Sequence, residues 1–296
     1  MDANRYTQIE QKIESFPALP AVVAQVLKVT NNPESSAADL MEAIQPDPSM
    51  CTAILKVANS ALFGQPKKVS SLEQAITLLG FNEIESIVLG KAVVTSFQQI
   101  LVGHKEELKE FWQHSFTCGL AAKIIAVHLN LSSGQFFMAG LIHDIGKLAM
   151  LLSFPKEYGS TGFLNQFSTQ QQLQQETELF SISHELVGGK LLQKWNFPQN
   201  LLFSIGFHHQ PERAPKQNGY PLVIQLADVL SMFCCKPDLL GEDDITTGVT
   251  KHLPDIQSKW EKYKLPFGEE TLESWFAWLK IDHAHGSPIL KLLSTR

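Results

Sequence analysis

The stretch from Gln135 to Leu152, QFFMAGLIHDIGKLAMLL, constrains this chain more than any other. Its apolar residues recur at helical period almost all the way round, which predicts one helix from Gln135 to Leu152 sunk in a core. His143, Asp144 and Lys147 interrupt it. Burying an unpaired charge costs several kcal/mol, so a fold that encloses this segment must supply a metal ion or a strong ionic partner.

The rest of the chain also reads at helical period, without alternating β-branched runs flanked by hairpin turns, and the expected fold is all-α. A chain of 296 residues with 44% hydrophobic content can fill a substantial core. Leu19, Val22, Val23, Val26 and Leu27 form one helical stripe behind the Pro17 and Pro20 turn. Ser36 with Asp39, and Ser70 with Glu73, have the spacing of capping boxes, and Gly80 fits a helix end. A helix starts near Asp47 or Ser49, after Pro46 and Pro48 stop the previous one. HKEELKEF at residues 104–111 links the halves or starts the next helix, which covers Phe111 to Leu129 with Gly119, Ala121, Ala122 and Ala126 permitting close contact. Further helices are expected over His184 to Trp195 and Leu222 to Phe233. Trp260, Trp275 and Trp278 read as packing residues of the C-terminal segments. We divide the chain into an N-terminal helical bundle, residues 1–105, and a second helical domain, residues 106–296.

A net charge of −6 speaks against a surface for a nucleic-acid polymer, which needs clustered Lys and Arg. It leaves room for a small anionic ligand, because bound metal ions dominate the local field. The polar N-terminus lacks the order of a signal peptide, and no apolar run is expected to reach bilayer length, so no membrane role is read. Cys51, Cys118, Cys234 and Cys235 form no CxxC pair; reduced thiols in a cytoplasmic protein fit them best.

His114, His143, Asp144, His184, His208, His209 and Asp228 fall on or near the ends of successive helical segments. Any one of these histidines alone reads as an ordinary core or surface group. Together, imidazole and carboxylate suit divalent iron, manganese, zinc or magnesium rather than a thiolate zinc site. Lys147, four residues after His143, shares its face on a continuous helix, where it either holds a phosphate oxygen or pairs with a carboxylate.

FPALP at Phe16–Pro20, DPSMCTAILKVANSALFG from Asp47 and VSSLEQAITLLGFNEIESIVLG from Val69 resemble the N-terminal half of HDOD proteins, and HDIGK at His143–Lys147 resembles the signature of the HD metal-dependent phosphohydrolases. The resemblance covers about residues 8–235. It implies that His114, His143, Asp144 and Asp228 bind a first ion, and that His184, His208 and His209 match the extra histidines of the binuclear HD-GYP branch, with Asp144 bridging. Glu110, four residues before His114, resembles an additional carboxylate of some such sites. Iron or manganese is favoured over zinc or magnesium. Two departures stand out: Gln210 follows the paired histidines where that branch has Glu, and Gly219-Tyr220-Pro221 comes late, reading as the turn into the Asp228 helix. Cleavage of cyclic di-GMP is therefore not expected.

The resemblance implies a signal-transduction output protein with a metal site, whose partner is a signalling protein or a small phosphate-containing ligand. The alternative is an active phosphohydrolase acting on a nucleotide or phosphodiester, with Lys147 as electrostatic helper. A metal-free structural bundle would need seven ligand-type residues to converge by accident.

Overall fold

The computed structural model describes residues 3–60, 68–101, 105–164, 170–215 and 219–294. The end of the DPSMCTAILKVANSALFG motif, His104, and Lys216 to Asn218 before the Gly-Tyr-Pro turn lie outside them. Among the described residues there is no strand, as the helical periodicity predicts.

The first part contains α1 (Ala3–Ser15), α2 (Ala21–Thr30), α3 (Ala37–Ile44), α4 (Pro48–Ala58), α5 (Leu72–Leu79) and α6 (Phe81–Ile100). Their boundaries follow local chemistry. Ser36 and Asp39 form the reciprocal capping box of α3. Asp47 accepts the Met50 amide at 2.9 Å with Pro48 at the first position of α4. The cap before α5 is one residue later than the spacing of Ser70 and Glu73 suggests: Ser71 accepts the Gln74 amide at 3.1 Å, while Gln74 Oε1 reaches back to the Ser70 amide at 2.9 Å. Gly80, at φ +80°, joins α5 to α6 in a conformation open to glycine.

The second part runs through α7 (Lys105–His128), α8 (Ser133–Ile142), α9 (Ile145–Ser153), α10 (Pro155–Gly159), α11 (Gln170–Phe180), α12 (His184–Lys194), α13 (Gln199–Gly206) and α14 (Tyr220–Cys235). It continues through α15 (Ile245–His252), α16 (Ile256–Lys262) and α17 (Glu269–Ser294). HKEELKEF, from Lys105 on, begins α7. Trp260 and Trp275 are buried with ring centroids 5.8 Å apart, but Trp278 is exposed, so the packing role expected of it does not hold.

One helix expected from the sequence is two. The chain turns at His143-Asp144, ending α8 and starting α9. The break lets α9 approach α12 so closely that a Cβ on Gly146 would stand 1.8 Å from the His184 carbonyl oxygen. The same segment, Ser133–Ser153, corrects the reading that no apolar run reaches bilayer length; 83% of its most apolar stretch is buried inside the fold, which identifies it as core.

Packing continues across the 105/106 division. The buried apolar residues form one cluster from Ile9 to Leu279, α6 lies on α8, and α1 lies on α9 and α12. Lys190 pairs with Glu10 at 2.9 Å, Lys194 caps the carbonyls of Ile13 and Phe16, and Trp195 Nε1 donates to Pro17 O.

Candidate metal centre

Five helical segments deliver the predicted residues to one buried place. His114 comes from α7, His143 and Asp144 from the α8–α9 turn, and His184 from the first position of α12. His208 and His209 follow the end of α13, and Asp228 lies in the middle of α14. His143, His184 and His208 have no exposed surface, and Asp144, His209 and Asp228 are buried. Glu110 is the exception: it is exposed on α7 and joins none of the convergent ligand groups.

The side chains fall into two groups. His114, His143 and Asp228 offer ligand atoms all within 4.8 Å of one another, as do Asp144, His184, His208 and His209. Asp228 Oδ1 is 3.0 Å from His114 Nε2 and 3.5 Å from His143 Nε2. Asp144 stands between the groups: its Oδ2 is 3.3 Å from His143 Nε2, and its Oδ1 is 3.1 Å from His184 Nε2 and 3.7 Å from His208 Nε2.

The outer nitrogens of four imidazoles are already committed. His143 Nδ1 donates to Gly140 O and His208 Nδ1 to Ile205 O, each at 2.8 Å. The Ser231 hydroxyl spends its hydrogen on Asp228 O, so it accepts from His114 Nδ1 at 3.1 Å. His184 Nδ1 faces Glu176 Oε2 at 2.7 Å. When neutral, each of these rings presents its Nε2 lone pair inward, the orientation that outer hydrogen bonds impose on metal-binding histidines.

Glu176 and its neighbours are the part of the site that sequence reasoning missed. The carboxylate also accepts the His184 amide at 2.8 Å, the Tyr158 hydroxyl at 2.9 Å and the Gln172 amide at 3.2 Å, and it is fully buried. The available signal was weak: Glu176 is one of two glutamates, with Glu178, on the glutamine-rich α11, eight residues before His184.

Electrostatics agree with the geometry. Burial opposes charge on every group here, yet Asp144 is held well below the usual carboxylate range by His143 and Lys147, and Asp228 by His114 and His143. Burial also works against His184, but the Glu176 carboxylate lifts it to about 9. His209 is driven well below its ordinary value by burial and by His208 and His184 beside it.

Four buried atoms, His143 Nε2, Asp144 Oδ1, His208 Nε2 and Asp228 Oδ1, have no hydrogen-bond partner among the described residues. Such orphans are costly in a low-dielectric interior, and all four belong to donor types that a divalent cation accepts. The residues present therefore fit a divalent metal ion.

Lys147 does not share a continuous helical face with His143, because the helix breaks between them. From the first turn of α9 its ammonium group meets Asp144 Oδ2 at 2.7 Å, and the whole side chain is 1% exposed. This is the carboxylate pairing that the sequence leaves open beside phosphate contact.

Comparison with known proteins gives a consistent picture. The HDOD domain model matches residues 16–211. An uncharacterized protein of Treponema pallidum is 23% identical over 224 residues, 74% of this chain but 42% of its own length. The chain therefore spans less than half of that relative. The fold is similar to that of a candidate phosphohydrolase from Shewanella amazonensis, with TM-score 0.72, 21% identity and coverage of 97% of this chain and 98% of the other. It is also similar to that of a candidate signal transduction protein from Marinobacter aquaeolei, with TM-score 0.69, 19% identity and coverage of 99% and 66%.

Proposed function

The chain belongs to the HDOD domain family, and from that premise we propose that it is a cytoplasmic signal-transduction output protein organised around a two-ion metal centre. The observation that carries this reading is the convergence of the four orphaned atoms, His143 Nε2, Asp144 Oδ1, His208 Nε2 and Asp228 Oδ1, with every histidine Nδ1 among His114, His143, His184 and His208 already occupied. His114, His143 and Asp228 hold the first ion, and His184, His208 and His209 hold the second. Asp144, whose two oxygens lie toward histidines of both groups, would be shared between the ions. Iron or manganese suits this mixed imidazole and carboxylate set, with zinc or magnesium as the other choices. The N-terminal bundle, residues 1–105, is the element that receives or transmits the signal to a protein partner.

A second reading, a phosphohydrolase, is favoured by a cavity of about 450 Å³ that opens onto His209 and Asp228. Divalent ions in the centre would activate water and polarise a phosphoryl group. The chain's own contribution is then to orient the ligands through Glu176 and Ser231, and to fix Asp144 with Lys147.

Elemental analysis of protein purified without chelator tests the metal centre. Close to two equivalents of transition metal per chain are expected; protein that carries none and takes up none on reconstitution overturns the reading. Turnover of a panel of nucleotides and phosphodiesters by the loaded protein then separates the output role from the hydrolase.

A further inference from the structure

The cavity over the metal centre has a wall that the HDOD match does not reach. Its inner end is formed by His209, Gln225 and Asp228, and its outer wall by α15, α16 and the turn between them, all beyond residue 211. Three features of that wall point to a ligand.

The first is Gln225. It is 5% exposed, its Nε2 donates to His209 O at 3.1 Å, and its Oε1 has no hydrogen-bond partner among the described residues. The amide cannot be reversed without setting oxygen against the His209 carbonyl, so the unpartnered atom of this cavity-lining residue is an acceptor, buried beneath the cavity surface. It calls for an O–H or N–H donor.

The second is charge. Lys251 and Lys259 line the outer end, and each pairs among the described residues with a partly exposed carboxylate, Asp243 at 2.7 Å and Glu212 at 3.3 Å. Solvent-exposed pairs of that kind hold a lysine only weakly, so either ammonium can turn to an anion in the cavity. The carboxylates facing the same space are Asp228, within the metal centre, and Asp255, exposed at the start of α16. The third feature is an apolar surface from Val229, Met232, Leu253, Pro254 and Ile256, which suits the face of a flat organic group.

We infer that the C-terminal segment completes a binding site for an organic phosphate ester, with Gln225 Oε1 taking a donor from the organic part and Lys251 and Lys259 holding its negative charge. The inference rests on the metal-centre reading only for what lies at the inner end of the cavity.

Adenosine monophosphate and adenosine are the probes, titrated calorimetrically into the full chain, with metal content measured on the same samples. Adenosine monophosphate is expected to bind, and adenosine about tenfold or more weaker. Lys251→Ala with Lys259→Ala should weaken adenosine monophosphate about tenfold and flatten its salt dependence while leaving adenosine unchanged. Gln225→Leu should weaken both. Equal binding of adenosine monophosphate by wild type and the double lysine variant overturns the proposal, as does no binding at millimolar concentration. Because both lysines are at the protein surface, their variant folds even if Gln225→Leu does not. Missing metal with lysine-dependent binding intact would sink the metal centre and leave this site standing; full metal without binding would do the reverse.

Discussion

Glu176 Oε2 lies 2.7 Å from His184 Nδ1, and the same oxygen accepts the His184 backbone amide, so one buried carboxylate from α11 fixes both the ring and the start of α12. A carboxylate behind a metal-binding histidine fixes its tautomer and raises its basicity. Replacing it by Gln should therefore lower metal affinity at the Asp144, His184, His208 and His209 group by about 10–100-fold. The group of His114, His143 and Asp228 should keep its ion. Chelator competition on wild type and Glu176→Gln measures the difference, and equal affinities would remove Glu176 from the site.

Asp144 is the only carboxylate placed against histidines of both groups among the described residues. Asp144→Ala is expected to lose both ions, and His184→Ala only one. Metal-to-protein ratios of the two variants decide it, and a ratio for Asp144→Ala equal to wild type would reject the shared role.

Lys147 is enclosed and paired with Asp144, so its loss leaves a void and takes from the buried carboxylate one of the charges that hold it ionised. Removing one partner of such a pair costs about 3–5 kcal/mol. Chelator-treated Lys147→Ala should lose about that much in urea denaturation. Metal should restore part of it, because the cations compensate Asp144 in place of the ammonium. A variant as stable as wild type without metal would show that Lys147 faces a ligand instead.

The metal-free protein should lose stability on the alkaline side. His184 rises from an ordinary 6.5 to about 9 in the fold, so its contribution is fully present below about 6.5 and disappears as pH rises through about 9. The span corresponds to roughly 3 kcal/mol. Denaturation of chelator-treated protein between pH 6 and 9.5 should show the decline, and Glu176→Gln should flatten it. A flat profile in the wild type would contradict the His184–Glu176 pairing.

Gly146 tests the break in the core helix. An added methyl would collide with the His184 backbone, which cannot move aside as a flexible side chain can. Gly146→Ala should cost about 3 kcal/mol or more and lower the metal content. Thermal unfolding and elemental analysis read the two effects, and an unperturbed variant would place α9 farther from α12.

The amino-acid sequence by itself determined the all-α class, several helix boundaries and the identity of the seven residues that converge. These are properties of single segments: a cap needs a side chain three residues from its amide, as at Ser36 and Asp47, and a buried face needs a period of 3.6. The HDOD motifs added the expectation that His114, His143, Asp144, His184, His208, His209 and Asp228 meet. Only the tertiary structure decided how they divide into two groups, that Glu110 is exposed and joins neither, and that Lys147 pairs with Asp144 across a helix break. Glu176, too, became visible only when α11 lay against α12. Periodicity describes where a residue sits on its own helix, whereas these contacts depend on how separate helices approach, and that approach is set by backbone clearances such as the one at Gly146.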